Sequence, residues 1–168
     1  MTNYKSLLNN INTFIFDYDG VLTDGKIYLT QDGELQRTVN VRDGYIMQLA
    51  AKKGYNIAII TGGKSMSVFH RFHNLGINDV FLGVRDKYQV YKNYISENNI
   101  NPENVLYMGD DIPDFEVMNN VGMPTCPADA VEEIKSISKY ISDINGGDGC
   151  VRDIIEQVLK VQGRWMKK

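Results

Sequence analysis

The chain has 168 residues, with 18 Lys+Arg against 21 Asp+Glu (formal net charge −3), 43% hydrophobic and 23% charged residues. That balance excludes a disordered chain, and a domain of this size buries roughly 70% of its unfolded surface without staples. Mild acidity, with no Lys/Arg run before Arg164, Lys167 and Lys168, argues against a broad nucleic-acid surface, and no apolar stretch approaches the roughly 18 residues of a membrane span.

The first twelve residues, MTNYKSLLNNIN, are broken by Asn and carry no apolar signal core, so a cytoplasmic chain that touches no membrane is expected. The run TFIF (13–16) reads as a short strand buried on both faces. Residues 26–41 have two strand-like halves around Gln31-Asp32-Gly33-Glu34 and read as a β-hairpin inserted before the first helix. Ile46, Met47, Leu49 and Ala50 mark that helix, stopped at Gly54. NIAIIT (56–61) is a second strand. Val68, Phe69, Phe72 and Leu75 form a helical stripe ending at Gly76, with His70 and His73 on its flank. DVFLG (79–83) is a third strand, and Lys87 opens the helix marked by Val90, Tyr91, Tyr94 and Ile95.

VLYMG (105–109) is a fourth strand, followed by Ile112, Phe115 and Met118 at helical spacing up to Gly122, with Pro113 in an early helical position. Val131, Ile134 and Ile137 mark a short helix. Val151, Ile154, Ile155, Val158 and Leu159 mark the last, stopped at Gly163. Cys126 and Cys150 lack metal-type spacing and read as reduced structural thiols; the ten tyrosines read as core and interface. Alternating strands and helices predict an α/β fold, a three-layer doubly wound parallel sheet in one domain over 1–168. The hairpin is its insertion, and 150–168 form its C-terminal helix and tail.

In such sheets the ligand site lies at the carboxyl ends of the strands. Strand one ends in Asp17-Tyr18-Asp19-Gly20, strand two in Thr61-Gly62-Gly63, and strand four in Gly109-Asp110-Asp111-Ile112-Pro113-Asp114. Carboxylates gathered at one place repel each other unless a hard divalent cation such as Mg²⁺ sits between them. A carboxylate can also attack phosphorus, and a second one two residues on can act as acid and base. Thr61 and the backbone near Gly62 could hold phosphate oxygens, and Lys87 could neutralise them. The run Gly62-Gly63-Lys64-Ser65 imitates a P-loop, but the required earlier glycine is Ala58. Arg152, a cation at a helix start, goes against the helix dipole and points to a functional or interface role.

DYDGVLTDG, TGG, Lys87 and GDDIPD resemble the four motifs of the haloacid dehalogenase superfamily of phosphotransferases. NVRDGY (40–45), AIITGGK (58–64), FHRFHNLGI (69–77) and GGDGCVRDIIEQVLKVQG (146–163) are similar to its 3-deoxy-D-manno-octulosonate 8-phosphate phosphatases, over nearly the whole chain. The resemblance implies a capless, Mg²⁺-dependent phosphatase that releases 3-deoxy-D-manno-octulosonate (KDO) in lipopolysaccharide synthesis. Asp17 would be the nucleophile and a metal ligand. Asp19 would be the acid/base, a substrate contact and a ligand through its carbonyl. Asp110 would be the third ligand, with Asp111 and Asp114 behind it.

Thr61, Gly62 and Lys87 would hold the phosphoryl group, while Asn40, Val41, Arg42, Asp43, Gly44 and Arg71 would line the sugar side. A homotetramer is implied, with a neighbouring subunit covering the site and the hairpin and C-terminal tail at the interface. One position departs from the pattern. Many members carry Arg where this chain has Gly63, with Lys64 next. A phosphatase of a nine-carbon keto-deoxy sugar acid, which has Glu there, therefore stays open, as do a broader sugar-phosphate phosphatase and a non-catalytic subunit.

Overall fold

A computed structural model describes residues 3–167; Met1, Thr2 and Lys168, which belong to the terminal segments read above, lie outside the described residues. The chain runs α1 (Tyr4–Leu7), β1 (Thr13–Phe16), β2 (Tyr28–Leu29), β3 (Leu35–Gln36), α2 (Val41–Lys52), β4 (Asn56–Ile60), α3 (Met66–His73) and β5 (Asp79–Phe81). It continues through α4 (Lys87–Glu97), β6 (Val105–Met108), α5 (Phe115–Met118), β7 (Met123–Cys126), α6 (Glu132–Ile137), β8 (Tyr140–Ile141) and α7 (Cys150–Val161). Six strands form one sheet in the order β5-β4-β1-β6-β7-β8, and every pairing in it is parallel.

The apolar runs alternate between the two faces. Phe14, Phe16, Ile57, Ile59, Leu106 and Met108 pack under α2, α3 and α7, while Ile15, Ala58, Ile60, Val105 and Tyr107 pack under α4, α5 and α6. This is the three-layer arrangement predicted. Four strands match the short apolar runs, with β5, at the sheet edge, only half-buried. Two more, β7 and β8, were not predicted: Pro124 interrupts MPTC, and β8 has only two residues. Pro124 still serves the sheet, because its carbonyl accepts from Lys139 N at 2.9 Å. The helix expected over 112–118 is a 3₁₀ turn (Ile112–Asp114) leading into α5, with Asp111 Oδ1 accepting from Ile112 N at 2.7 Å.

The chain leaves β1 toward β4 and β5, then crosses back to β6 on the other side of β1. The sheet order therefore reverses beside β1, where a crevice opens at the carboxyl edge. Phe16 pairs with both Ile59 and Met108, so the segments after β1, β4 and β6 emerge side by side. The hairpin β2–β3 is antiparallel, with Tyr28 opposite Gln36. No helix among the described residues is long and apolar enough to cross a membrane. Cys126 and Cys150 are buried and free, as expected.

Candidate active site

Asp17 is the first residue past β1. Its Oδ1 accepts from Tyr18 N at 2.7 Å and lies 2.8 Å from Lys87 Nζ. Lys87 is the first residue of α4, whose N-cap Asp86 accepts from Gln89 N. That start turns the lysine inward, where it is 7% exposed and also meets Asp114 Oδ1 at 2.7 Å. Asp114 is fully buried and fully used. Oδ1 takes Lys87 and Tyr107 Oη (2.6 Å), and Oδ2 takes Asp110 N (3.2 Å). Asp114 therefore orients the lysine and the Asp110 loop from behind.

One carboxylate oxygen from each of Asp17, Asp110 and Asp114 lies within 4.8 Å of the others. Burial, then Asp114, pushes the Asp17 carboxyl well up, while Lys87 pulls it down. Burial and Asp114 push Asp110 up to about 7. Burial lowers Lys87, but Asp17 and Asp114 outweigh it and hold the ammonium above its ordinary range. Crowded, half-compensated oxygen ligands of this kind fit a hard divalent cation. With Asp114 committed to other partners, Asp17 and Asp110 are the side chains free to hold it. Gly20 makes the close approach possible. At φ +83°, a Cβ there would stand 2.0 Å from Asp110 Oδ2.

These groups open into a cavity of about 950 Å³, lined by Asp17, Asp19, Thr61, Gly62, Lys87, Asp110 and Asp111, with Arg37, Lys64 and Arg85 around them. Thr61 Oγ1 accepts from Gly63 N at 3.0 Å, which fixes the turn after β4. Asp111 is exposed on the rim.

The sugar-side residues inferred from resemblance are placed otherwise. Asn40, Val41, Arg42, Asp43, Gly44 and Arg71 do not line this cavity within the chain. Asn40 caps α2, accepting from Arg42 N at 2.8 Å, and donates to the Gly147 carbonyl at 3.2 Å. Asp43 is 1% exposed, and its Oδ1 accepts from Arg152 N at 2.7 Å on the first turn of α7. That anion answers the dipole mismatch at Arg152, whose side chain pairs with Glu156 instead (3.3 Å). Val41 and Arg42 are exposed. A Cβ at Gly44 would meet Arg71 Nη2 at 2.7 Å, so Gly44 leaves room for that guanidinium.

The Gly146-Gly147 segment packs on this chain's own loop after β1. Gly147 N donates to the Val21 carbonyl at 3.0 Å, and a Cβ on Gly146 would lie 1.9 Å from the Gly20 carbonyl oxygen.

Sequence reasoning missed Arg37. Its Nε donates to Asp19 Oδ1 at 2.6 Å and its Nη2 to Asp19 Oδ2 at 3.1 Å. The available signal was a lone Arg on the returning half of a hairpin that follows directly on the acidic strand end. Tyr107, behind Asp114, reads in sequence only as a core strand residue.

A doubly wound parallel sheet with a lysine-braced aspartate at its carboxyl edge defines a hydrolase of the haloacid dehalogenase-like class, and a family model of haloacid dehalogenase-like hydrolases matches residues 79–154. The chain is 38% identical over 163 residues to the 3-deoxy-D-manno-octulosonate 8-phosphate phosphatase KdsC of Salmonella typhi, covering 97% of this chain and 87% of that one. The crystal structure of the phosphatase of that name from Yersinia pestis superposes with TM-score 0.94 at 34% identity, covering 97% of this chain and 88% of that one. The Moraxella catarrhalis structure, in complex with magnesium ion, phosphate ion and KDO, superposes with TM-score 0.94 at 31% identity, covering 98% of this chain and 95% of that one. The chain belongs to the KdsC family of 3-deoxy-D-manno-octulosonate 8-phosphate phosphatases.

Proposed function

We propose that this protein is a Mg²⁺-dependent phosphatase that hydrolyses 3-deoxy-D-manno-octulosonate 8-phosphate to KDO and phosphate. The observation that carries the reading is Asp17, buried in the cavity wall and held at 2.8 Å by Lys87, within a cluster of carboxylates suited to a divalent cation. The relatives' names supply the substrate.

In this reading an Asp17 oxygen attacks phosphorus and the bond from phosphorus to the sugar oxygen breaks. Asp19 gives its proton to the departing oxygen. The aspartyl-phosphate is then attacked by water, whose proton Asp19 takes, and phosphate leaves with Asp17 restored. Thr61 and the backbone at Gly62 hold the phosphoryl oxygens, and Lys87 offsets their charge throughout. Asp17, Asp110 and the Asp19 carbonyl would hold Mg²⁺, which supplies charge neutralisation for the phosphoryl oxygens and the carboxylates. Asp111 contributes at the rim and Asp114 from behind.

The whole chain acts as one catalytic domain in the cytoplasm and assembles as a homotetramer. Support for assembly comes from the hairpin, where Ile27, Tyr28, Leu29 and Leu35 are 44, 56, 82 and 49% exposed. Arg42 and Arg71, absent from their own cavity, would then serve a neighbour's.

Phosphate release with Mg²⁺ tests the substrate assignment. Strong preference for the eight-carbon keto-deoxy acid phosphate over the nine-carbon acid phosphate and hexose phosphates, abolished by EDTA, is expected. Flat or hexose-favouring release would overturn the named substrate.

A further inference from the structure

Arg37 is bound where the reaction needs a free group. Its guanidinium takes both oxygens of Asp19, at 2.6 and 3.1 Å, and its third nitrogen, Nη1, donates to the Leu35 carbonyl at 2.8 Å. The Arg37 side chain is 10% exposed and that of Asp19 is 37% exposed, so the pair sits half-covered at the cavity wall. Gly63 lies beside it. A Cβ there would stand 3.9 Å from Asp19 Oδ2 and 4.0 Å from Arg37 Nη2.

Two other cations on the same cavity, Lys64 and Arg85, have no ion-pair partner among the described residues. They raise the local concentration of an anionic substrate. Arg37 differs from them in being already fixed as a fork, the geometry that matches a carboxylate at two points. Its present partner is the side chain read as the acid/base. Both oxygens that could carry the proton to a departing oxygen now accept from the guanidinium.

We propose that Arg37 is a specificity latch: it holds Asp19 out of use until the carboxylate of a sugar-acid substrate draws the guanidinium away and so frees Asp19 for proton transfer. This rests on the phosphatase reading above. The substrate carboxylate thereby contributes to turnover as well as to binding, and a phosphate ester lacking a carboxylate leaves the latch closed.

The test is steady-state kinetics with Mg²⁺ of the full-length wild type, Arg37→Gln and Arg37→Lys. Three substrates are compared: the eight-carbon keto-deoxy acid phosphate, glycerol 1-phosphate and p-nitrophenyl phosphate. Glycerol 1-phosphate needs its leaving oxygen protonated but carries no carboxylate. For Arg37→Gln we expect kcat/KM on the sugar-acid phosphate to fall about thirtyfold, the scale of losing a two-point charged contact. We expect kcat on glycerol 1-phosphate to rise at least about threefold, because Asp19 is released.

Arg37→Lys, which keeps the charge but not the fork, should lie between the two and covers the case in which the glutamine variant does not fold. Opposite signs on the two esters are not produced by a merely structural role. Parallel losses on both, or a fall on the sugar acid with no rise on glycerol 1-phosphate, would overturn the latch while leaving the phosphatase reading intact. Failure of the wild type to release phosphate even from p-nitrophenyl phosphate would overturn both.

Discussion

Asp114 shows how much of this site is built from behind. It is fully buried, and both of its oxygens are spent on Lys87, Tyr107 and the Asp110 backbone. In Asp114→Asn, the amide nitrogen faces one of these donors and loosens either the lysine or the Asp110 loop. Partners of this kind are worth about 10- to 100-fold in activity. We predict a kcat loss of that size with the fold retained, read by phosphate release beside a melting curve. A kcat within about twofold of wild type would show that Lys87 holds its place unaided.

At this scale sequence and structure agree where chemistry dictates residue type. Asp17, Thr61 and Asp110 follow from the strand-end rule and Lys87 from the helix start after the third strand, and the structure gathers them. Arg37 was not legible, because its partner is 18 positions away and the hairpin's path over the site is set by tertiary packing.

Among the elements, α2 and α7 carry the least expected result. The segment NVRDG was assigned to the sugar side by resemblance. Within this chain its Asn40 and Asp43 fasten the C-terminal loop and the start of α7. Asp43 Oδ2 has no hydrogen-bond partner, and burial raises its carboxyl to about 6. In the unfolded chain the same group titrates near 4. Between those values the folded state binds more protons, so the contribution of Asp43 to stability is full below about pH 4 and declines as pH rises through about 6. The loss is on the order of 3 kcal/mol.

Asp43→Asn should therefore gain on the wild type as pH goes from 4 to 7, measured as the difference between their melting temperatures at each pH. A difference that does not change with pH would contradict this assignment. The elements themselves were readable where apolar runs are continuous, as in β1, β4, β5 and β6. They were hidden where Pro124 breaks the run or where pairing supplies only two residues, as in β8.

For the whole molecule, the layers and the switch beside β1 place the site at the carboxyl edge, and the hairpin is the feature that alternation of strands and helices does not require. Its exposed apolar residues are the proposed contact between copies. Leu29→Asp should shift the mass in solution, read by light scattering, from a tetramer toward smaller species, with loss of sugar-acid turnover. An unchanged mass would remove the hairpin from the interface.

Asp17 is the proposed nucleophile toward phosphorus in this cavity. This role is tested most directly by rapid acid quench during turnover of the eight-carbon keto-deoxy acid phosphate labelled in its phosphoryl group, followed by peptide mapping. Label is expected on the peptide bearing Asp17 in the wild type, and none in Asp17→Asn, whose turnover falls at least about a thousandfold. Steady turnover with no label on that peptide, or Asp17→Asn working within about tenfold of wild type, would contradict it.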